Sequence, residues 1–425
     1  SPPVPAAPSF RTPTGTHDVL PPATRRWQAL IARFAALVDR SGYGLLVSPM
    51  FEDVGVFERV GESTDVVRKE MYDFEDKGGR RIALRPEGTA SAVRAFVQHR
   101  PATPWKIWYA APSFRYERPQ AGRYRQHHQL GVEVLGSADP EVDVEVIALV
   151  RRLYDELGLA RITLVLNSIG DAACRPGYLQ VLDAYLRDHD GELCPEHRAG
   201  ARQNPLRVLD CKREACRRAT EAAPRIAEHL CGACTEHFAA VQTGLGALGV
   251  AYTLDSRLAR GFDYYTRTAF EFQALALDAA QSTIGAGGRY DGLAEALGGP
   301  STPGVGFGTG VERVLLACDA EESFPGPEAG VAVWVVDVTG GEVARAVVWS
   351  LRDAGVAADR AFDQRSMRAQ MKLADRSGAR LALIVGDEER RAGTVSLRRL
   401  RSQTSTEQVA VPVGEVVTRV REFLA

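Results

Sequence analysis

The sequence predicts an α+β chain: an antiparallel sheet flanked by helices, split by a helical insertion and followed by a compact α/β domain. Three observations predict it. Residues 127–134 alternate as a strand does, so His127, Gln129, Gly131 and Glu133 share one face and His128, Leu130, Val132 and Val134 the other. From about Ser168 to Gly249 the texture turns helical, rich in Ala, Arg, Cys and His with few β-branched residues. From Val331 onward, apolar runs alternate with amphipathic stretches over nearly the last hundred residues.

Bulk properties set the frame. A chain of 425 residues holds two or three domains, each able to bury a core. With 45% hydrophobic and 25% charged residues it reads as an ordinary globular protein. A formal net charge of −2 excludes wholesale polyanion binding, so any nucleic-acid surface must be a local patch. No apolar run approaches the roughly 18 residues that a membrane span needs, so no membrane role is expected. The start, SPPVPAAPSF, has neither a basic end nor an apolar centre; it reads as a disordered leader over 1–12, with the missing Met pointing to processing or trimming. Seven cysteines without a secretory signal fit a reducing cytoplasm.

Taken in order, residues 22–42 place Trp27, Leu30, Ile31, Phe34 and Leu37 at helical spacing, with Gly42 as the stop. A strand over 45–47 runs into Pro49. Segments 65–75 and 81–85 flank Gly78 and Gly79, the signature of a hairpin. Glu87 and Thr89 follow, at a strand end where a carboxylate and a hydroxyl can take an ammonium group. Equally, Thr89 caps a helix and Glu87 is an acid favoured by its dipole. Arg115, Arg118, Arg123 and Arg125 then crowd a loop marked by Pro119 and Gly122. Guanidiniums beside a polar strand face point to phosphate or nucleic acid, since the planar fork matches phosphate oxygens.

A helix over 141–157 and a strand over 162–166 lead into the insertion, 168–249. Cys194, Cys211, Cys216, Cys231 and Cys234 lie in it, with His197 three residues after Cys194. Cys231 and Cys234 have the spacing of half a zinc site, and Cys194 with His197 could supply the other half. Cys211 and Cys216 are too far apart for a tight knuckle. The expected state is reduced, metal-free thiols, with a structural zinc as the alternative.

Residues 259–271 return to β texture, with Tyr264, Thr266, Thr268 and Phe270 alternating with Tyr265, Arg267, Ala269 and Glu271. Arg260, beside Gly261, is hard to explain by packing. Gly287 and Gly288, in tandem, permit close approach of backbone to a ligand, without the Lys-Ser/Thr ending of a phosphate loop. Glycines over 304–310 precede a helix that carries Glu312 and Arg313. Past a linker, 321–330, come a strand (331–336), helices (342–354 and 366–377), strands (380–385, 394–400 and 409–411) and a last helix (414–424). Arg390, Arg391, Arg398, Arg399 and Arg401 are its RNA-facing candidates.

Five blocks, RPEGT (85–89), FRYERPQAGRYRQHHQLGVE (114–133), ARGFDYYTRTAFE (259–271), GGRYDGL (287–293) and GVGFGTGVERV (304–314), resemble in sequence and order the class II aminoacyl-tRNA synthetases, in detail the histidyl-tRNA synthetase family. The resemblance implies a class II catalytic core over 13–167 and 250–320, the insertion between them, and an anticodon-binding domain over 331–425. It makes the helix–strand–proline order near the start a homodimer interface.

The implied reaction joins histidine to tRNA(His) through a histidyl-adenylate made from ATP with Mg2+. Arg115 and Arg260 would hold the α-phosphate from two sides, and Arg123 and Arg313 the outer phosphates and the adenine face, with Glu117 also on ATP. Glu133 and the Tyr265 hydroxyl would serve the two ring nitrogens of histidine, one each. Glu87, Thr89 and Gln129 would take its α-amino group, and Tyr264 and Tyr290 would wall the pocket. His127 stands where the family usually has phenylalanine, which bears on stacking against adenine. Arg118 and Gln120 would meet the acceptor end of tRNA. A paralogous regulatory subunit of ATP phosphoribosyltransferase is the nearest rival; it typically lacks catalytic arginines and the anticodon-binding domain.

Overall fold

The computed structural model describes residues 10–61, 64, 66–200, 204–209, 211, 213–258, 264–278, 282–327, 330–401 and 408–425. The chain divides into two compact units, Ser1–Pro325 and Gly326–Ala425.

In the first unit, an eight-stranded sheet runs in the order Gly44–Leu45, Trp105–Phe114, Gln126–Leu135, Gly304–Gly310, Thr283–Arg289, Thr266–Ala274, Ile162–Ser168 and Thr253–Leu254. Its two short edge strands pair in parallel and the six inner strands antiparallel. The apolar row of Gln126–Leu135 does what period-two burial requires: Leu130, Val132 and Val134 sit in the main core. There they meet helices Ala23–Asp39 and Pro140–Glu156, which contribute Leu30, Phe34, Ile147 and Val150. A three-stranded sheet of Phe51–Asp53, Arg81–Leu84 and Tyr72–Glu75 carries the expected hairpin, with Phe74 opposite Ile82.

Two glycine-rich stretches form strands. Thr283–Arg289 and Gly304–Gly310 pair with each other in mid-sheet. Their glycines mostly make room for protein groups: a Cβ on Gly306 would lie 1.7 Å from the Glu133 carboxylate.

The insertion is helical, from Arg175–Asp188 to Gly232–Ala247, with a small core of its own around Tyr178, Leu182, Val208 and Ile226. In the second unit, a five-stranded sheet has the order Ala358–Arg360, Val333–Asp337, Leu381–Val385, Thr394–Arg399, Gln408–Pro412. The first three strands are parallel, the last two antiparallel. Strand Ala358–Arg360 and helix Asp387–Ala392 were not expected, both being short and polar.

Candidate active site

A cavity of about 260 Å³ opens over the polar face of Gln126–Leu135, under the loop that follows Trp105–Phe114. Glu87, Thr89, Arg115, Glu117, Arg123, His127, Gln129, Tyr264, Tyr265 and Arg313 all line it, from segments more than two hundred residues apart in the chain.

Helix Thr89–His99 explains the first pair. The Glu87 carboxylate accepts from the backbone N–H of Thr89 at 2.6 Å and of Ala90 at 2.8 Å, closing the first turn. Capping and lining therefore coexist at Glu87. Burial pushes its carboxyl up, against the pull of those N–H groups and of Arg115.

Three guanidiniums also line the cavity. Arg115 Nε donates to the Pro86 carbonyl at 2.9 Å, and Arg123 Nε lies 3.0 Å from Glu117. Arg313 is fixed twice: Nε to the carbonyl of Gly122 and Nη1 to that of Thr283, both at 2.9 Å. Gly122 makes that approach possible with φ of 69° at the turn, where an L side chain is strained. Burial first, then the nearby Arg123 and Arg115 charges, draw the Arg313 pKa down. The same helix start carries Glu312, whose carboxylate takes the His128 N–H at 3.0 Å and so ties helix Val311–Ala320 to the strand. His127 is held neutral: burial, then Arg115 and Arg313, bring it down to about 3.

Some expected residues lie elsewhere. Glu133 and Tyr290 sit beneath the cavity rather than on its wall, at 0% and 1% exposure. Glu133 accepts from Thr89 Oγ1 at 2.7 Å, from the Tyr109 hydroxyl at 3.2 Å and from the Tyr290 hydroxyl. Burial raises its carboxyl to about 8 despite these donors. The cover is Tyr109, a lining residue that sequence reasoning missed. It pairs across the strands with Gly131, where a Cβ would come within 2.3 Å of its ring. Gly131 therefore admits a tyrosine, not a ligand. An aromatic opposite a glycine in adjacent strands was the signal available.

Arg118 and Gln120 are exposed at the hairpin tip, away from the cavity. Arg125 turns onto the Tyr116 ring, 3.8 Å from its centroid. Arg260 lies outside the described residues, as do residues 1–9 of the expected leader. In the second unit, Arg390 donates to the Thr339 carbonyl and Arg399 lies over the Phe423 ring. Arg398 and Arg399 point to opposite faces of their strand, so the five arginines do not form one surface.

The expected zinc halves do not meet. Cys194 and His197 lie with Cys211 and Cys216, and Cys231 and Cys234 lie with Asp171 and Cys174.

The chain is similar in sequence and fold to known proteins. The family described as histidyl-tRNA synthetase matches residues 15–314, and an anticodon-binding domain matches residues 331–423. A relative from Moorella thermoacetica named histidine–tRNA ligase is 48% identical, over 97% of this chain and 98% of its own. The apo crystal structure of Staphylococcus aureus histidyl-tRNA synthetase is 34% identical, with a TM-score of 0.81 over 97% of this chain and all of that one. A structure from Bacillus halodurans, titled an ATP phosphoribosyltransferase regulatory subunit/histidyl-tRNA synthetase, shares the fold at 20% identity and a TM-score of 0.62, covering 83% of this chain and 92% of that one. With a family match over more than half its length and a near-full-length relative at 48%, the chain belongs to the histidyl-tRNA synthetase family.

Proposed function

We propose that the chain ligates histidine to tRNA(His) at the expense of ATP, through a histidyl-adenylate. The observation that carries this is the gathering of Arg115, Arg123 and Arg313 with Glu87, Thr89 and Gln129 around one cavity. The guanidiniums suit a polyphosphate, and the carboxylate, hydroxyl and amide suit an amino acid.

In the first step the histidine carboxylate attacks the α-phosphorus, and the bond to the β-phosphate oxygen breaks to release pyrophosphate. In the second, the 3′-terminal hydroxyl of tRNA attacks the histidyl carbonyl and AMP leaves. Neither step needs a protein nucleophile. The side chains position reactants and oppose negative charge that spreads onto phosphate oxygens.

Arg115 is assigned to the α-phosphate, and Arg123 and Arg313 to the outer phosphates and the adenine face. Arg260 is assigned the facing side of the α-phosphate on family resemblance alone. His127, neutral, offers adenine a flat ring as phenylalanine would. Among the carboxylates lining the cavity, Glu87 and Glu312 are engaged by backbone N–H groups. Glu117, 3.0 Å from Arg123 and placed on ATP by family resemblance, is assigned to Mg2+ carried on ATP, an ion that keeps much of its water and takes one or two carboxylates beside phosphate. Glu87, Thr89 and Gln129 receive the α-amino group, and Tyr264 walls it. Tyr265 serves one imidazole nitrogen; Glu133, braced by Tyr290, serves the other together with the Tyr109 hydroxyl it holds. Arg118 and Gln120, on the exposed tip, face the tRNA acceptor end, and the second unit takes the anticodon.

A homodimer is the proposed assembly, in the cytoplasm with its tRNA. Leu45, Val47, Met50 and Phe51 leave 58%, 84%, 50% and 53% of their surface exposed along one edge, which a second copy would cover. Among the described residues, no helix is long and apolar enough to cross a membrane.

The test is histidine-dependent exchange of labelled pyrophosphate into ATP, followed by charging of tRNA(His). Exchange and charging support the ligase. Purified, folded protein with Mg2+ that shows neither would favour the regulatory-subunit reading, against which the retained Arg115, Arg313 and anticodon-binding unit already weigh.

A further inference from the structure

The insertion gathers thiols into two groups that the aminoacylation chemistry does not use. In the first, Cys194, His197, Cys211 and Cys216 bring four ligand atoms within 4.8 Å of one another. In the second, Asp171, Cys174, Cys231 and Cys234 do the same. We infer that the insertion is a two-zinc domain, with a Cys3His site and a Cys3Asp site.

Distances support four-coordination. Metal bonds of about 2.3 Å to sulfur and about 2.0–2.1 Å to nitrogen or oxygen set tetrahedral edges of roughly 3.8 Å between sulfurs and roughly 3.5 Å from sulfur to nitrogen or oxygen. His197 Nδ1 lies 3.3 Å from Cys194 Sγ and 3.4 Å from Cys216 Sγ. Cys174 and Cys234 sulfurs are 3.8 Å apart, and Asp171 Oδ1 is 3.7 Å from Cys174 Sγ and 4.0 Å from Cys231 Sγ. A disulfide needs about 2.05 Å between sulfurs, and would give neither His197 nor Asp171 a place. Three thiols in each group also leave one over from any single bridge.

The surroundings fit bound thiolates. Cys231 is the N-cap of helix Gly232–Ala247 and Cys174 that of helix Arg175–Asp188, so two helix N-termini face the second group. The Cys194 backbone N–H lies 3.3 Å from Cys216 Sγ. Asp171 turns its second oxygen to Arg267, 3.2 Å from Nη2, which fixes the carboxylate as an outer partner does in metal sites. Thiolate-rich tetrahedral sets select zinc over harder cations.

The need is also visible. Helices Pro195–Gly200, Leu206–Leu209 and Glu214–Ala219 have six, four and six residues, too few to persist alone, and the first group sits where they meet. A metal that binds only the folded arrangement supplies what that small core does not. The expected metal-free state is thereby replaced: the overlooked Cys174 and the separated Cys211 and Cys216 complete the two sets.

This inference stands apart from the ligase reading, and its test reads metal, not activity. The full chain, produced with zinc and kept reduced, should carry about two zinc ions by elemental analysis. Cys216→Ser and Cys234→Ser should each leave about one, and the double variant about none. His197→Cys keeps four ligands and should keep both. Cobalt(II) in place of zinc should give tetrahedral thiolate absorption in the wild type, roughly halved in each single variant. Folded wild type that holds no zinc and takes none up from micromolar zinc overturns the proposal, whether its thiols titrate as free or are found in disulfides. Unchanged zinc in both single variants also overturns it. Loss of an ion in Cys216→Ser but not in Cys234→Ser removes the Asp171 site alone.

Discussion

The Thr89 hydroxyl donates to the Glu133 carboxylate at 2.7 Å, joining the first turn of a helix that lines the cavity to a group with no exposed surface. Glu133 is costly where it is. Its carboxyl ordinarily titrates near 4.5 and is raised here to about 8, chiefly by burial. Between those values the unfolded chain releases this proton while the folded chain keeps it. Stability is thus full below 4.5 and falls by about 1.4 kcal/mol per pH unit as pH rises toward 8. Glu133→Gln cannot ionise, so thermal melts from pH 5 to pH 8 should show the variant gaining on the wild type as pH rises. The same substitution should raise KM for histidine roughly tenfold or more, because a buried polar site discriminates through its own pairing. A stability difference that is flat with pH would remove the argument from burial.

His127 gives a second prediction. Its ring, held neutral by burial beside Arg115 and Arg313, is placed to stack. Stacking a base on a flat side chain is worth about 1–3 kcal/mol, so His127→Ala should raise KM for ATP by about 5- to 150-fold. His127→Phe should stay within about threefold of wild type. Pyrophosphate exchange at varied ATP measures both, and a phenylalanine variant as poor as alanine would assign His127 a polar role instead.

How much of this was legible in the sequence depends on distance along the chain. Period two in residues 127–134 correctly separated the cavity face of His127 and Gln129 from the core face of Leu130 and Val132. It could not reveal depth: Tyr109, which covers Gly131, comes from the neighbouring strand. Glycines 304–310 were legible only as the lead-in to a helix because they lack strand propensity, yet pairing on both sides makes them a strand. Cysteine spacing likewise set Cys194 and His197 against Cys231 and Cys234, whereas the fold brings Asp171 and Cys174 to Cys231 and Cys234, and Cys211 and Cys216 to Cys194 and His197.

Asp143 and Arg289 are both wholly buried and ion-paired, and Asp143 also lies 3.3 Å from His237 Nε2. Despite burial, His237 and Arg289 hold the Asp143 carboxyl below its ordinary value. It therefore stabilises the fold above the unfolded-state value of about 3.9, and that contribution is lost as pH falls further. Asp143→Ala strands a buried guanidinium and should cost about 3 kcal/mol, toward the low end for a broken buried pair because Asp291 remains 3.1 Å from Arg289. Replacing both with Leu and Met should recover most of it, since apolar residues of similar volume often match such pairs. Denaturant titration of the single and double variants closes the cycle.

Arg313 offers the sharpest test of the phosphate end. Its Nε and Nη1 are spent on the carbonyls of Gly122 and Thr283, so it both pins the arginine-bearing hairpin and presents charge to the cavity. Those roles separate by substitution. Lysine keeps the charge but has no planar fork to hold two carbonyls at once. If charge on phosphate is the main contribution, Arg313→Lys should retain much of the rate while Arg313→Ala loses about a hundred- to a thousandfold in kcat/KM for ATP. If holding the hairpin dominates, lysine should fail nearly as badly as alanine, and Gly122→Ala, strained at φ of 69° and with a Cβ within 2.8 Å of Leu316, should reproduce the loss. In either case KM for histidine should move far less than KM for ATP, because Arg313 is assigned to ATP and not to the amino acid. A histidine KM that rises as much as the ATP KM would show that the cavity is not divided as proposed.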